Sequence, residues 1–446
     1  LTAANGTQTQ VQTTASQPLA PGSQLLLSQA DSNRLAVMVQ QANANNVSTL
    51  TRLDTSQVPI GTLLQGKVLS NQVLTLRIEQ ALVNVKGLMA AAALDSRSTR
   101  LDNREGELHS RGDLQLQVTE AADNQGGVIL ADTQLTLKAG TLDNRQDGLL
   151  GATRQLDLNI GQLDNRGGEL SSQQIGLVGE RLDNSAAGRV LASGDLTLTV
   201  AQVINQSLGL ISADQGLSLN GTSLDNQGGD LVGLQRLDLA LAGDLDNHQG
   251  RISSEGGLGI QVRNLGNRQG SLSSAGALQI SAREALDNRG GKLLSDAALT
   301  LSSARLDNQQ QGVISSKAKL ALDTGELDNS QGGNLNSGDA LNLTATQVNN
   351  DQGSIGSAKA LQASVSGLQQ QGGKLFSKTA LSLDLNHGTL NNQGGFINAP
   401  GPLVLSNLGS EAIEIALKLL RQHVVVMEMH DGMSFAWGLV GQAGLQ

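Results

Sequence analysis

One ten-residue phrase constrains this chain more than anything else in it, because the chain keeps repeating it: Leu163-Asp164-Asn165-Arg166-Gly167-Gly168-Glu169-Leu170-Ser171-Ser172. An apolar-Asp-Asn triplet, a glycine turn, an apolar-x-Ser step and an alternating Leu-x-Leu run recur with a period of about 21 residues. The third residue of the triplet marks the copies: Asn103, Asn124, Asn144, Asn165, Asn184, Asn205, Asn226, Asn247, Asn267, Asn288, Asn308, Asn329, Asn350, Gln370 and Asn392. The spacing between these 15 copies is nearly constant, the shortest step being Asn165 to Asn184 and the longest Gln370 to Asn392. A fixed period of this length is the mark of a stacked repeat fold.

Within the period the residue two before the marker is always apolar, from Leu101 to Leu390. An apolar side chain returns five residues after the marker in 13 copies, and one residue later after Asn184 and Asn329. A glycine falls three or four residues after every marker. Pairs such as Leu114/Leu116, Leu237/Leu239 and Leu381/Leu383 alternate with polar residues, which is the period of a strand. No window shows helical i, i+3, i+4, i+7 spacing inside the repeats.

Each copy therefore reads as three short strands separated by tight corners. Leu163, Asn165, Leu170, Ser172, Ile175 and Leu177 point inward, and Asp164, Arg166 and Glu169 point out. One such turn has too little apolar surface to close a core, whereas stacked turns share one. The expected fold is all-β: a parallel β-helix of about 21-residue coils, right-handed by the usual preference of parallel crossovers. Coils about 4.8 Å apart would make 15 of them a rod roughly 70 Å long. The recurring Asn would form an internal ladder of amides, each donating to the next and so avoiding the cost of a lone buried amide. The outward Asp residues would repel at that spacing, so solvent, backbone N–H groups or the Arg at 104, 145, 166, 268 and 289 must offset them.

The expected domain division is 1–52, an irregular or degenerate β segment; 53–405, the β-helix, regular from 101; and 406–446, a helical and apolar tail. Leu35–Val39 reads as a strand, and residues 66–84 as a weaker copy ending in Asn84. Residues 86–100, with the Ala90–Ala93 run, read as an irregular turn or small bulge. Beyond Gly409 the spacing of Ala412, Ile413, Ile415, Ala416, Leu417, Leu419 and Leu420 predicts a helix up to Arg421. The tail fits either a cap on the last coil or the start of a further domain.

The chain has 54 Gly, no Cys, no Tyr, three Phe and one Trp, so its interior is built almost wholly from aliphatic side chains. A net charge of −10, without a basic stripe or stacking aromatics, argues against a nucleic-acid partner. No apolar run reaches the length of a membrane-spanning helix, roughly 18 residues or more. The start at Leu1, with neither Met nor a leader pattern, reads as an excerpt of something longer.

Catalytic, cofactor and metal residues are not evident. His109, His248 and His387 fall in different coils, His423 and His430 lie seven apart in the tail, and no pair has zinc-ligand spacing. Gly432-Met433-Ser434-Phe435-Ala436 lacks the second glycine of a nucleophile elbow. The Gly-Gly pairs carry no Lys-Ser/Thr of a phosphate loop. A carboxylate column on a β-roll can bind calcium, but Ile204, Gly266, Asn349, Gln369 and Asn391 replace the Asp in five copies. β-Helical enzymes that cut acidic polysaccharides cluster their acids in one groove, whereas here they are spread along the repeats.

The Leu-Asp-Asn-x-x-Gly-x-Leu-x-Ser copies at 101–405 resemble the haemagglutinin repeats of filamentous haemagglutinin and of the contact-dependent growth inhibition effectors of Gram-negative bacteria. The resemblance implies a stalk exported through an outer-membrane two-partner secretion pore and displayed on, or released from, the cell surface. It also implies a host or bacterial cell-surface receptor. Its adhesive use, presenting a binding or toxic tip, is the first functional reading. The alternative is the shaft of a toxin-delivery effector whose toxin domain is absent from this chain. No segment matches the family's secretion domain or a toxin, so no binding residues carry over.

Overall fold

The structure, a computed structural model, describes residues 66–409 with their side chains. Outside that span it describes the backbone of five strands, Gln24–Asp31, Arg34–Ala42, Ser48–Asp54, Val425–Glu428 and Ser434–Trp437. The chain is an all-β parallel solenoid of about 16 turns. It divides into two compact units, Leu1–Thr222 and Ser223–Gln446.

In the first unit most coils supply a short and a long strand, for example Glu169–Ser172 and Gln174–Asp183. Short strands pair only with short ones and long with long, in parallel: Leu150 faces Leu170 and then Val190, while Leu142 faces Leu163 and then Leu182. Like therefore lies over like. Leu156, Leu158, Ile160, Leu163 and Leu170 are all within 2% of complete burial. Each such side chain stabilises the stack by about 2 kcal/mol through water removed from its surface.

In most coils two of the expected three strands run together as one, while coils such as that of Lys67–Leu69, Val73–Arg77 and Ala81–Val83 keep all three. In Gln155–Asp164 the inward residues run Leu156, Leu158, Ile160 and then Leu163. The step of three at the end lets Gly161 and Gln162 both face outward, so the strand turns its corner without leaving the ladder. The 86–100 stretch is likewise regular: Leu88–Ala91 and Ala93–Asp102 are ordinary strands, with Met89, Ala91 and Leu94 buried. Alanine is a small inward residue here, not a break in the coil.

The three described strands between residues 24 and 54 form an antiparallel meander. Gln24–Asp31 pairs with Arg34–Ala42, which contains Leu35–Val39, and that strand pairs with Ser48–Asp54. Leu26 and Leu27 also lie parallel to Thr75 and Leu76 of the first described coil, so the meander covers that coil's long-strand edge.

The second unit repeats the two-strand coil, from Asp230–Gly233 and Arg236–Leu241 to Phe396–Asn398 and Leu403–Ser406. Some of its long strands are interrupted, as between Arg236–Leu241 and Asp244–Asp246. After Leu403–Ser406, Val425–Glu428 adds one more parallel strand and Ser434–Trp437 pairs antiparallel to it. The helix expected beyond Gly409 lies outside the described residues.

The glycine that closes each turn decides where the next strand starts. Where it stands three residues after the marker, one turn residue has positive φ, such as Glu105 or Gly167. Where it stands four after, two in a row do, such as Gln146 and Asp147, or Ser207 and Leu208. The extra residue moves the strand on by one. After Asn144, Asn205 and Asn308 the fifth residue, Leu149, Leu210 or Val313, is therefore only half-buried, and Leu150, Ile211 and Ile314 fill the core. Across both turn lengths the inward residue is the second after the glycine.

Candidate functional site

The column of marker amides recurs through the described coils, and the turn geometry places it. Gly168 N donates to Asn165 O at 3.0 Å, closing the turn over the amide. A Cβ on Gly168 would lie 2.0 Å from the carbonyl oxygen of Asn144 and 2.9 Å from Asn165 Oδ1. Only glycine lets neighbouring coils approach this closely.

In the first unit the column runs from Asn84 through Asn103, Asn124, Asn144, Asn165 and Asn184 to Asn205. Each Nδ2 donates to the next Oδ1, at 2.7 Å from Asn165 to Asn184 and 2.8 Å from Asn184 to Asn205. In the second unit the bonds run from Asn226 through Asn247, Asn267, Asn288, Asn308 and Asn329 to Asn350 at 2.7 to 2.8 Å. From Asn103 to Asn350 every marker is 0% exposed.

The second N–H of each amide goes to carbonyls. Asn144 Nδ2 lies 2.9 Å from Gly148 O in its own turn and 3.3 Å from Glu169 O in the next coil. The main chain follows the same path, with Asn144 N donating to Asp164 O at 2.8 Å. Gln370 carries one methylene more, and its bonds from Asn350 and to Asn392 lengthen to 3.2 Å. Asn392, the last marker, is half-buried.

One residue before the marker runs an outward column that is Asp in ten of the fifteen copies. Its first task is local: Asp123 Oδ1 accepts from Gln125 N at 3.1 Å and Asp328 Oδ1 from Ser330 N at 3.0 Å, each holding the turn's entry. Asn349 does the same for Asp351 N at 3.2 Å, which explains why Asn can replace Asp here.

Charge is then offset along the column. Arg166 holds Asp164 by two bonds, at 2.9 and 2.6 Å, and reaches Asp183 of the next coil at 4.0 Å. Arg145 and Arg289 repeat this, with 3.5 Å to the next Asp in each case. Arg268, whose own coil has Gly266, pairs instead with Asp287. Gln125 and Gln227 do the neutral equivalent, each donating to the next coil's Asp at 2.9 Å. The sequence pattern points to the arginines; the glutamines show only once coils are stacked.

The Arg104 hydrogen bonds hold the Asp102 carboxyl below the usual carboxylate range, against some burial. At Asp164 burial pushes upward, but hydrogen bonds from Arg166 and the charges of Arg166 and Arg145 outweigh it. Asp307 differs: burial dominates, its own coil supplies Gln309 instead of Arg, and its carboxyl is raised.

Among the described residues no three His, Cys, Asp or Glu side chains converge as a metal site. His109 lies beside Asp132 at 3.1 Å, His248 and His387 sit in separate turns, and His423 and His430 lie outside the described residues. Ser434 sits on a strand in a hairpin. No described helix is long and apolar enough to cross a membrane.

A family model described as Haemagglutinin repeat matches residues 1–139, 119–199, 178–249, 236–290, 287–331, 320–401 and 379–410. The chain belongs to the haemagglutinin-repeat family. The match takes in positions 1–52, where the repeat grammar is illegible by eye, and so adds the amino-terminal meander to the family's extent. No curated protein and no solved structure matches the chain significantly.

Proposed function

We propose that this chain is a length of adhesive stalk from a secreted surface protein of a Gram-negative bacterium, non-enzymatic in itself. It would leave the cell through an outer-membrane two-partner secretion pore and carry a binding tip toward a receptor on another cell. Family membership supports this reading, and so does the use to which the chain puts its polar residues. In each unit the inward amide of one described coil holds the next, at 2.7 to 2.8 Å through all but the Gln370 rungs. That arrangement transmits load from coil to coil and occupies the inward amides with structure, not chemistry.

The test is to express the parent protein with and without its partner pore and measure surface display and attachment to epithelial and bacterial cells. Pore-dependent display with attachment is the expected result. Display without attachment to either cell type would remove the adhesive reading. Contact-dependent growth arrest of recipient bacteria would move the chain to the toxin-delivery class.

A further inference from the structure

Four outward positions in the first unit form a pattern that is its own complement. On the outer face of the short-strand sheet Leu149, Glu169, Arg189 and Leu210 stand in one column, in register on four successive coils. The order is apolar, acidic, basic, apolar. Leu149 and Leu210 are half-buried, open only on their outward side. Arg189 reaches Glu169 at 3.5 Å, and both stay open to solvent, with side chains 53% and 37% exposed. Two residues along the strands the next outward column runs Gly151, Ser171, Leu191 and Ser212, and it carries no charge.

Beside this column projects Leu208. It stands in the turn that leads into Leu210, in the left-handed region at φ +69°, and is 78% exposed. A bulky residue is uncommon in that conformation. In the other long turns the second left-handed residue is Asp147, Ala187, Gln311 or Gly332. Within the chain the leucine strains its turn and buries little. Strain retained at an exposed apolar side chain points to a contact that the free chain lacks.

We propose that this face is a docking surface for a second copy of the chain, packed face to face and antiparallel. A two-fold axis lying in the interface, along the strands and midway between Glu169 and Arg189, reverses the order of the coils. It sets Leu149 of each copy against the partner's Leu210, and Glu169 against the partner's Arg189. Each charge then has an opposite charge in its own chain and another across the contact. The uncharged column pairs Ser171 with Leu191 and Gly151 with Ser212, small against larger, which suits two sheets about 10 Å apart. Leu208 lies at the edge of the contact and is covered by the partner's Leu149 and its turn. Parallel copies in register would instead put Glu169 against Glu169 and Arg189 against Arg189.

The test is sedimentation of the full chain over a range of concentrations. A reversible monomer–dimer equilibrium is expected, weaker at high salt. Arg189→Glu alone sets Glu against Glu across the contact, and Glu169→Arg alone sets Arg against Arg. Each should weaken self-association at least about 10-fold. Mixing the two variants brings every Arg opposite a Glu and should restore dimers, as should both exchanges made in one chain. Leu208→Asn suits a left-handed turn better, so it should fold normally and weaken pairing about 10-fold through two lost apolar contacts per dimer. A chain that stays monomeric throughout, or charge variants that are folded by circular dichroism yet fail to associate when mixed, would overturn the proposal. Self-association untouched by either charge exchange would put the contact on another face and sink it too.

Discussion

Asp164 and Asn165 are neighbours in the chain and recur together through the repeats, yet they live under opposite rules. Asn165 is 0% exposed and bonded above and below. Asp164 faces outward, caps its own turn and shares Arg145 and Arg166 with solvent. The inner column admits one substitution in fifteen copies, Gln370, and its bonds there lengthen from 2.7–2.8 to 3.2 Å. The outer column admits Ile204, Gly266, Asn349, Gln369 and Asn391. Water can replace any partner lost on the outside; nothing replaces one lost within, because an unmet buried amide bears its whole desolvation cost.

Swapping the two chemistries is the sharpest way to break that contrast. Asn165→Asp removes both donors and leaves Asn184 Oδ1, Gly168 O and Arg189 O facing an acid. The expected cost is about 3–5 kcal/mol. It should appear as accelerated hydrogen exchange in Gln155–Asp164 and Gln174–Asp183, since a stacked repeat opens locally and one global midpoint would hide it. A change under about 1 kcal/mol would refute the inner rule.

Gly168→Ala comes next. Its methyl would meet the Asn144 carbonyl at 2.0 Å, so the two coils must part, at about 3 kcal/mol. The same substitution at Gly228, with nothing within 4 Å of its Cβ, should cost only the backbone strain of a φ of +62°. Comparing exchange around the two sites separates crowding from conformation.

The outer swap, Asp164→Asn, keeps the capping oxygen and loses only the ion pairs. With Arg166 about half exposed, the expected loss is under about 1 kcal/mol, and less in high salt. Its sign with pH follows from a carboxyl held below its ordinary value. The contribution is present above about pH 4, where the unfolded carboxylate is ionised, and fades as pH falls through the lower folded value. Variant and parent should therefore converge in acid.

Asp307→Asn should show the smallest effect and the opposite sign. Its carboxyl is raised by burial, so the charged form is the one the fold disfavours. Stability favoured by the protonated form is present below the unfolded value of about 3.9 and is lost as pH rises through the folded value. Asparagine should therefore stabilise at neutral pH by a few tenths of a kcal/mol and make no difference in acid. Urea titrations at both pH values would check it.

By itself the sequence determined the solenoid. The strand-period alternation, the 21-residue recurrence and the single inward amide per copy leave a chain of aliphatic residues no other way to share a core. It also marked the turn: the glycine's position, third or fourth after the marker, carries the register rule that assigns Leu150 and not Leu149 to the interior. A count from the Asn misses this, because the shift comes from a second left-handed residue in the turn, a backbone state that Gln146 and Asp147 do not announce. Only the tertiary structure decided the rest. Which carboxylate Gln125 or Arg268 serves is a relation between residues of different coils. Periodicity tells each residue which way it faces. What it then touches depends on the coil above, and coils differ by single residues that a repeat pattern averages away.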